Sequence, residues 1–123
     1  DEVYLSALDK LDTFDVIKVC DGYIYKGQID ESFDKTFSYT IGKEGVFITD
    51  IILNTNELKD YLSMCTPHYI EVIGWKRDIS QITSKEHLPA QCLNYIALLE
   101  SLISLPITVI SVGPTRLNKI RMV

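Results

Sequence analysis

Ile107-Thr108-Val109-Ile110-Ser111-Val112-Gly113-Pro114 is the stretch whose reading decides the fold. All but one of its first six residues are apolar or β-branched, which predicts a short strand buried on both faces. The stretch then stops abruptly. Gly113 lets a ligand or another backbone approach closely, and Pro114 fixes the exit and donates no N–H. In open α/β sheets, ligands sit in the crevice beyond the carboxyl ends of the strands, where Ser111 to Gly113 would lie. A core strand followed by a tight turn needs no ligand, so this segment by itself favours packing over binding.

Leu88-Pro89 upstream opens the clearest helix, over residues 90–104, with Pro tolerated in the first turn. Cys92, Tyr95/Ile96, Leu99 and Leu102/Ile103 repeat at a spacing of three to four and share one apolar face, with Tyr95 in the buried stripe. Pro106 ends this helix. Downstream, residues 116–123 alternate through Leu117, Ile120 and Met122, which predicts a last strand at an edge or returning as a hairpin. The front half is mostly β. Residues 3–8 read as a buried strand, and residues 9–15 as a polar loop dense in carboxylates. β character resumes at 16–20 and continues after Asp21-Gly22 into 23–26, with a turn at Gly27, a strand-and-hairpin signal. Residues 37–41 and 46–49 flank Gly42-Lys43-Glu44-Gly45, a second hairpin with a four-residue loop. Residues 56–64 form a one-sided helix with Asn56 as N-cap and Pro67 as its stop. Residues 68–73 alternate as a strand, and 80–87 form a loop or weak helical turn. The fold class expected is mixed α/β: a β-rich front half and a closing helix–strand–turn–strand unit.

The 123 residues fit a single domain, 1–123, large enough for a core without staples. At 46% hydrophobic and 24% charged, the composition is that of a globular protein. No apolar run approaches the roughly 20 residues of a membrane-spanning helix. A net charge of −5 argues against nucleic acid or an anionic membrane as partner. Cys20, Cys65 and Cys92 are widely separated, form no C-x-x-C pair and read as small hydrophobes in a reducing, cytoplasmic setting. His68 and His87 lack metal-ligand spacing with them, so no metal site is expected. The chain opens on Asp1-Glu2 without an initiator Met or a secretory leader. The expectation is a trimmed start or a piece of a longer protein.

Acid–base candidates are the Asp9/Asp12/Asp15 series, Asp78 and the two histidines, with a solvated acidic loop as the plainer reading of the series. There is no G-x-x-x-x-G-K-S/T loop, G-x-G-x-x-G or G-x-S-x-G, hence no phosphate cradle, no serine elbow and no complete catalytic constellation. A base-recognition site asks for less. A carboxylate such as Asp9 at a strand end accepts two hydrogen bonds side by side, and guanine alone among the common bases offers adjacent ring N–H and amino donors. Adenine would set a lone pair against it. Ser111-Val112-Gly113 can line the other side of the ring with a hydroxyl and backbone groups.

Leu8-Asp9-Lys10-Leu11-Asp12, then Ile17-Lys18-Val19-Cys20 and a later Tyr, resemble the segment L-T-K-L-D-V-L-D…K-L/V-C-x-x-Y of the adenylosuccinate synthetase family. Glu71-Val72-Ile73-Gly74-Trp75, Leu88-Pro89, Asn94-Tyr95 and the Ser111-Val112-Gly113-Pro114-Thr115-Arg116 ending follow in the family's order, whereas residues 28–65 match loosely. The resemblance is to the family's C-terminal part, and it implies that this chain is the C-terminal portion of a larger P-loop-like nucleotide-binding fold. The family joins IMP and L-aspartate into adenylosuccinate while hydrolysing GTP, requires Mg²⁺ and is commonly dimeric. It further implies that Asp9 reads the guanine edge, that Ser111, Val112 and Gly113 contact the base, and that Ala7 and Leu8 flank it. The catalytic acid and base, the phosphate loop and the Mg²⁺ ligands would lie in an N-terminal portion outside this chain. The family's Lys is Ala7 here. Two rival readings are a homologue with altered nucleotide use and a stand-alone interaction domain that binds no nucleotide.

Overall fold

The computed structural model describes residues 1–123. Seven strands and three α-helices follow in the order β1 (Val3–Leu5), β2 (Val16–Tyr25), α1 (Glu31–Thr36), β3 (Phe37–Gly42), β4 (Gly45–Ile51), α2 (Leu58–Ser63), β5 (Cys65–Ile73), α3 (Ala90–Ile103), β6 (Ile107–Ser111) and β7 (Lys119–Arg121). The mixed α/β class is as expected. The chain divides into two compact units, residues 1–17 with 71–123, and residues 18–70.

The first unit is built on the three-stranded sheet β1-β6-β7. β1 runs parallel to β6, with Tyr4 opposite Val109 and Leu5 opposite Ile110, and β7 returns antiparallel with Ile120 opposite Ile110. Ile107, Ile110, Val112 and Ile120 are almost wholly buried, with Leu8, Ile79, Leu88, Cys92 and Ile96. α3 delivers the chain to β6 through its C-terminus. Ser104 turns left-handed at φ 57° and its N–H bonds the Glu100 carbonyl, while the Glu100 carboxylate accepts from Ile107 N at 2.8 Å. The apolar stripe on α3 buries Cys92 and Ile96 and rests Tyr95 against Trp75, ring centroids 5.9 Å apart, but Leu102 and Ile103 in the last turn are exposed.

The second unit is carried by the sheet β3-β4-β2-β5. The expected hairpin is present with a tighter loop: Gly42 pairs with Gly45, so only Lys43 and Glu44 lie between, and Gly45 takes φ 128°. β2 runs unbroken through Asp21-Gly22, and it pairs antiparallel with β4. α1, which the sequence reading passes over, is N-capped by Asp30, whose side chain accepts from Phe33 N at 2.7 Å. α2 starts at Leu58 after Glu57, not Asn56, and no side chain caps it. Pro67 lies inside β5 and does not end α2. β5 is an edge strand, the position in a sheet where Pro is tolerated. Tyr25, Phe33, Phe37 and Tyr61 form the centre of this unit's core with Val46 and Ile48.

Candidate functional site

β1 and β6 are parallel neighbours, so their carboxyl ends emerge side by side. From β1 the chain reverses through Ala7 at φ 57°, ψ 35° into a 3-10 turn over Leu8–Leu11, which packs against β6. A non-glycine residue in this left-handed region carries a cost of about 1 kcal/mol, and here it bends the chain sharply enough to put Asp9 one turn beyond the strand end. From β6 the chain passes through Ser111, Val112 and Gly113. The Asp9 segment and the Ser111–Gly113 bend, a hundred residues apart in sequence, thus leave adjacent strands at one end of one sheet.

The six residues singled out from the sequence divide by what they have left to offer. Asp9 is half-buried, and its carboxylate makes none of this unit's side-chain hydrogen bonds. Ser111 is half-buried and its hydroxyl donates to the Gly113 carbonyl at 2.9 Å, so while that bond holds its oxygen is only an acceptor. Leu8 and Val112 are core side chains. The Val112 N–H already donates to the Asn118 carbonyl at 2.7 Å. Gly113 is buried against Asn118, and a Cβ there would lie 2.6 Å from the Asn118 Cγ. Ala7 is exposed. Two open clefts in this unit, one lined by Lys85, Leu93, Glu100 and Met122 and the other by Asp12, Lys76, Arg77 and Asp78, involve neither Asp9 nor Ser111.

The other acid–base candidates have structural partners. Asp12 accepts from Trp75 Nε1 at 2.7 Å and from Ile79 N at 3.3 Å. Asp15 pairs with Lys76 at 2.8 Å on the surface, and this ammonium holds its carboxyl below the usual range. Asp78 accepts from Ser80 N at 2.8 Å, and the Ser80 hydroxyl and amide lower its pKa. His87 Nδ1 meets Ser84 Oγ at 2.7 Å. In the second unit His68 Nδ1 lies 2.7 Å from Asp21 Oδ1, a bond that raises the imidazole pKa. Burial pushes the Cys92 thiol up to about 12, with the Asp12 charge adding to it. No group of three or more His, Cys, Asp or Glu side chains is disposed to hold a metal ion.

By architecture this is an α/β protein with two parallel strands ending beside one another, one followed by a carboxylate turn and the other by a serine–glycine bend. A family model for adenylosuccinate synthetase matches residues 1–120, and the chain belongs to that family. It is 36% identical over 112 residues to the adenylosuccinate synthetase of Syntrophomonas wolfei, covering 91% of this chain and 21% of the relative. It is 33% identical over 115 residues to that of Methanosarcina barkeri, covering 94% of this chain and 22% of the relative. A solved structure of fully ligated adenylosuccinate synthetase from Plasmodium falciparum superposes on the whole chain and on 25% of its own length, with a TM-score of 0.76 at 24% identity. The chain therefore spans about a fifth of the length of these curated relatives.

Asn118 has no role in the sequence reading, and Asp12 is taken there only as an acid–base candidate, not as the acceptor for Trp75 and Ile79. The signal for Asp12 was available, since a buried Trp needs an acceptor for its indole N–H. Asn118 carries no such signal, because its contacts depend on where the loop after Trp75 runs.

Proposed function

We propose that this chain is the base-binding C-terminal region of an adenylosuccinate synthetase, a ligase of purine nucleotide biosynthesis, in which it grips the guanine of GTP. The observation that carries the proposal is the half-buried Asp9 carboxylate, uncommitted to any side-chain bond, beyond a strand end adjacent to that of Ser111. A planar carboxylate matches the ring N–H and amino group of guanine with two parallel hydrogen bonds; the opposite edge of the base carries only acceptors, so there the Ser111 hydroxyl would turn from the Gly113 carbonyl to donate to it. Adenine would leave the carboxylate desolvated and opposed by a lone pair, a mismatch costly wherever water is excluded.

The fit ends at the base. Lys10 adjoins Asp9 and Lys119 is paired across from Ser111, but the sequence holds no glycine-rich phosphate loop, and no set of carboxylates here suits Mg²⁺. Phosphates and metal, like IMP and aspartate, would be held by the longer remainder of the enzyme, and the 123 residues would work as one domain-sized piece with no ligation of their own. Ala7, standing where the family's pattern has Lys, supports a second reading in which the same site takes a different base.

Nucleosides test the base end without the phosphates. In the ¹⁵N-labelled chain, guanosine is expected to shift the Asp9, Ser111 and Gly113 amide signals with weak affinity, on the order of millimolar for so small a ligand. Adenosine is expected to leave them unmoved. Equal shifts with both would favour the second reading; no shift with either, or adenylosuccinate formation by the chain alone, would contradict the proposal.

A further inference from the structure

Gly74 to Ser80 forms a strap bonded at one end to the Asp9 turn and at the other to the Ser111–Gly113 bend. At the first end, Gly74 N donates to the Asp15 carbonyl at 2.9 Å and Arg77 N to the Asp12 carbonyl at 3.1 Å. The Asp12 carboxylate takes both the Trp75 indole N–H and the Ile79 amide. Asp12 in turn caps the 3-10 turn, its own N–H donating to the Asp9 carbonyl at 3.1 Å. At the second end, Asn118 Nδ2 donates to the Ser80 carbonyl at 2.9 Å. The amide orientation is fixed, because Asn118 Oδ1 faces the Thr115 N–H at 3.1 Å, and a backbone N–H can only donate. Asn118 also accepts Val112 N at its carbonyl and lies against Gly113 where any Cβ would displace it. Between these ends the strap is anchored by Trp75 and Ile79, 6% and 0% exposed.

We infer that Asp12 and Asn118 are a positioning pair which, acting through this strap, sets the spacing between the Asp9 carboxylate and the Ser111–Gly113 bend. The inference rests on the guanine reading for its ligand but not for its mechanics. Neither side chain touches the base. Asp12 holds the backbone of Asp9, Asn118 holds the backbone of Val112 and Gly113, and the strap makes the two holds one frame. Recognition through two parallel hydrogen bonds tolerates displacements of only a few tenths of an ångström, so a loosened frame weakens the base even with every contacting residue intact.

Asn118→Asp isolates the strap bond. Aspartate keeps an oxygen for Thr115 but sets another oxygen against the Ser80 carbonyl, whereas Thr115→Val removes one bond of the turn and leaves the strap bond in place. In the ligand-free ¹⁵N-labelled chain, Asn118→Asp is expected to move the Trp75 indole N–H and the Asp9 and Asp12 amide signals, and Thr115→Val to leave them. Asp12→Asn is expected to do the reciprocal at Gly113 and at the Asn118 side-chain amide. Guanosine affinity should fall about tenfold in Asn118→Asp, as for loss of one well-placed hydrogen bond. Unmoved Trp75, Asp9 and Asp12 signals in Asn118→Asp would overturn the strap even if the wild-type chain binds guanosine. Moved signals in a chain that ignores guanosine would uphold the strap and remove the guanine reading alone.

Discussion

In residues 18–70, stability is gathered around Phe33, whose ring stacks on Tyr25 at 4.4 Å and meets Phe37, Tyr39 and Tyr61 within 5.3 Å. In residues 1–17 with 71–123, an apolar core is supplemented by polar bonds of fixed geometry, Asp12 to Trp75 and Ile79, Asn118 to Thr115 and Ser80, and Glu100 to Ile107. Aromatic burial is broadly tolerant of which ring lies where, so a unit held that way can drift in sequence. Carboxylates and amides that satisfy buried donors are not tolerant, because each loss leaves an unpaired group behind. The first unit is therefore expected to tolerate fewer substitutions at its bonded positions than the second tolerates in its aromatic core.

The contrast can be broken most forcefully at Gly74. A Cβ there would lie 1.9 Å from the Phe14 carbonyl oxygen, which is backbone and has no rotamer to escape into. Gly74→Ala is expected to cost more than about 4 kcal/mol and to leave the first unit unfolded by near-UV circular dichroism at Trp75. A folded, near-native Gly74→Ala protein would mean that this unit is far more pliable than its bonding suggests. Gly42, with nothing within 4 Å of such a Cβ, is the control in the other unit.

Phe33→Ala should follow at about 3–5 kcal/mol, read from the loss of hydrogen-exchange protection at α1, β3 and β4. The smallest effect is a pH dependence in the second unit. Asp21 accepts a hydrogen bond from His68 and raises its pKa, the Glu44 charge adds to this, and burial works against both. A folded-state pKa raised above the ordinary value makes the contribution fully present below about pH 6.5 and lost as pH rises through the raised value. The thermal midpoint of the wild-type chain should therefore fall over that rise relative to His68→Asn. Parallel pH profiles for the two proteins would show that the pair contributes nothing.

Legibility in the sequence followed the same division. The buried β6 run and its Gly-Pro exit, α3 and the β3–β4 hairpin all announce themselves through periodicity and turn chemistry. α1 is only six residues long, too short for a helical period to register, and its one signal is Asp30 three residues before Phe33. Pro67 reads as a helix stop because nothing local says that β5 lies at a sheet edge. The recurrence of Asp9, Asp12 and Asp15 suggests one acidic face, yet tertiary contacts give the three carboxylates different fates: one unclaimed by a side-chain bond, one half-buried and bonded to the Trp75 indole, one paired with Lys76 in solvent. Spacing shows that such carboxylates recur, and only the fold shows which of them other side chains claim.

The most direct trial is a guanosine titration of Asp9→Asn beside the wild-type chain, followed at the Ser111 and Gly113 amide signals. Asparagine keeps one acceptor but turns an amino group toward the donors of the base, so affinity should fall at least about tenfold while the ligand-free spectrum stays native outside the Leu8–Leu11 turn. Undiminished guanosine binding by Asp9→Asn would contradict the assignment of this carboxylate to the base.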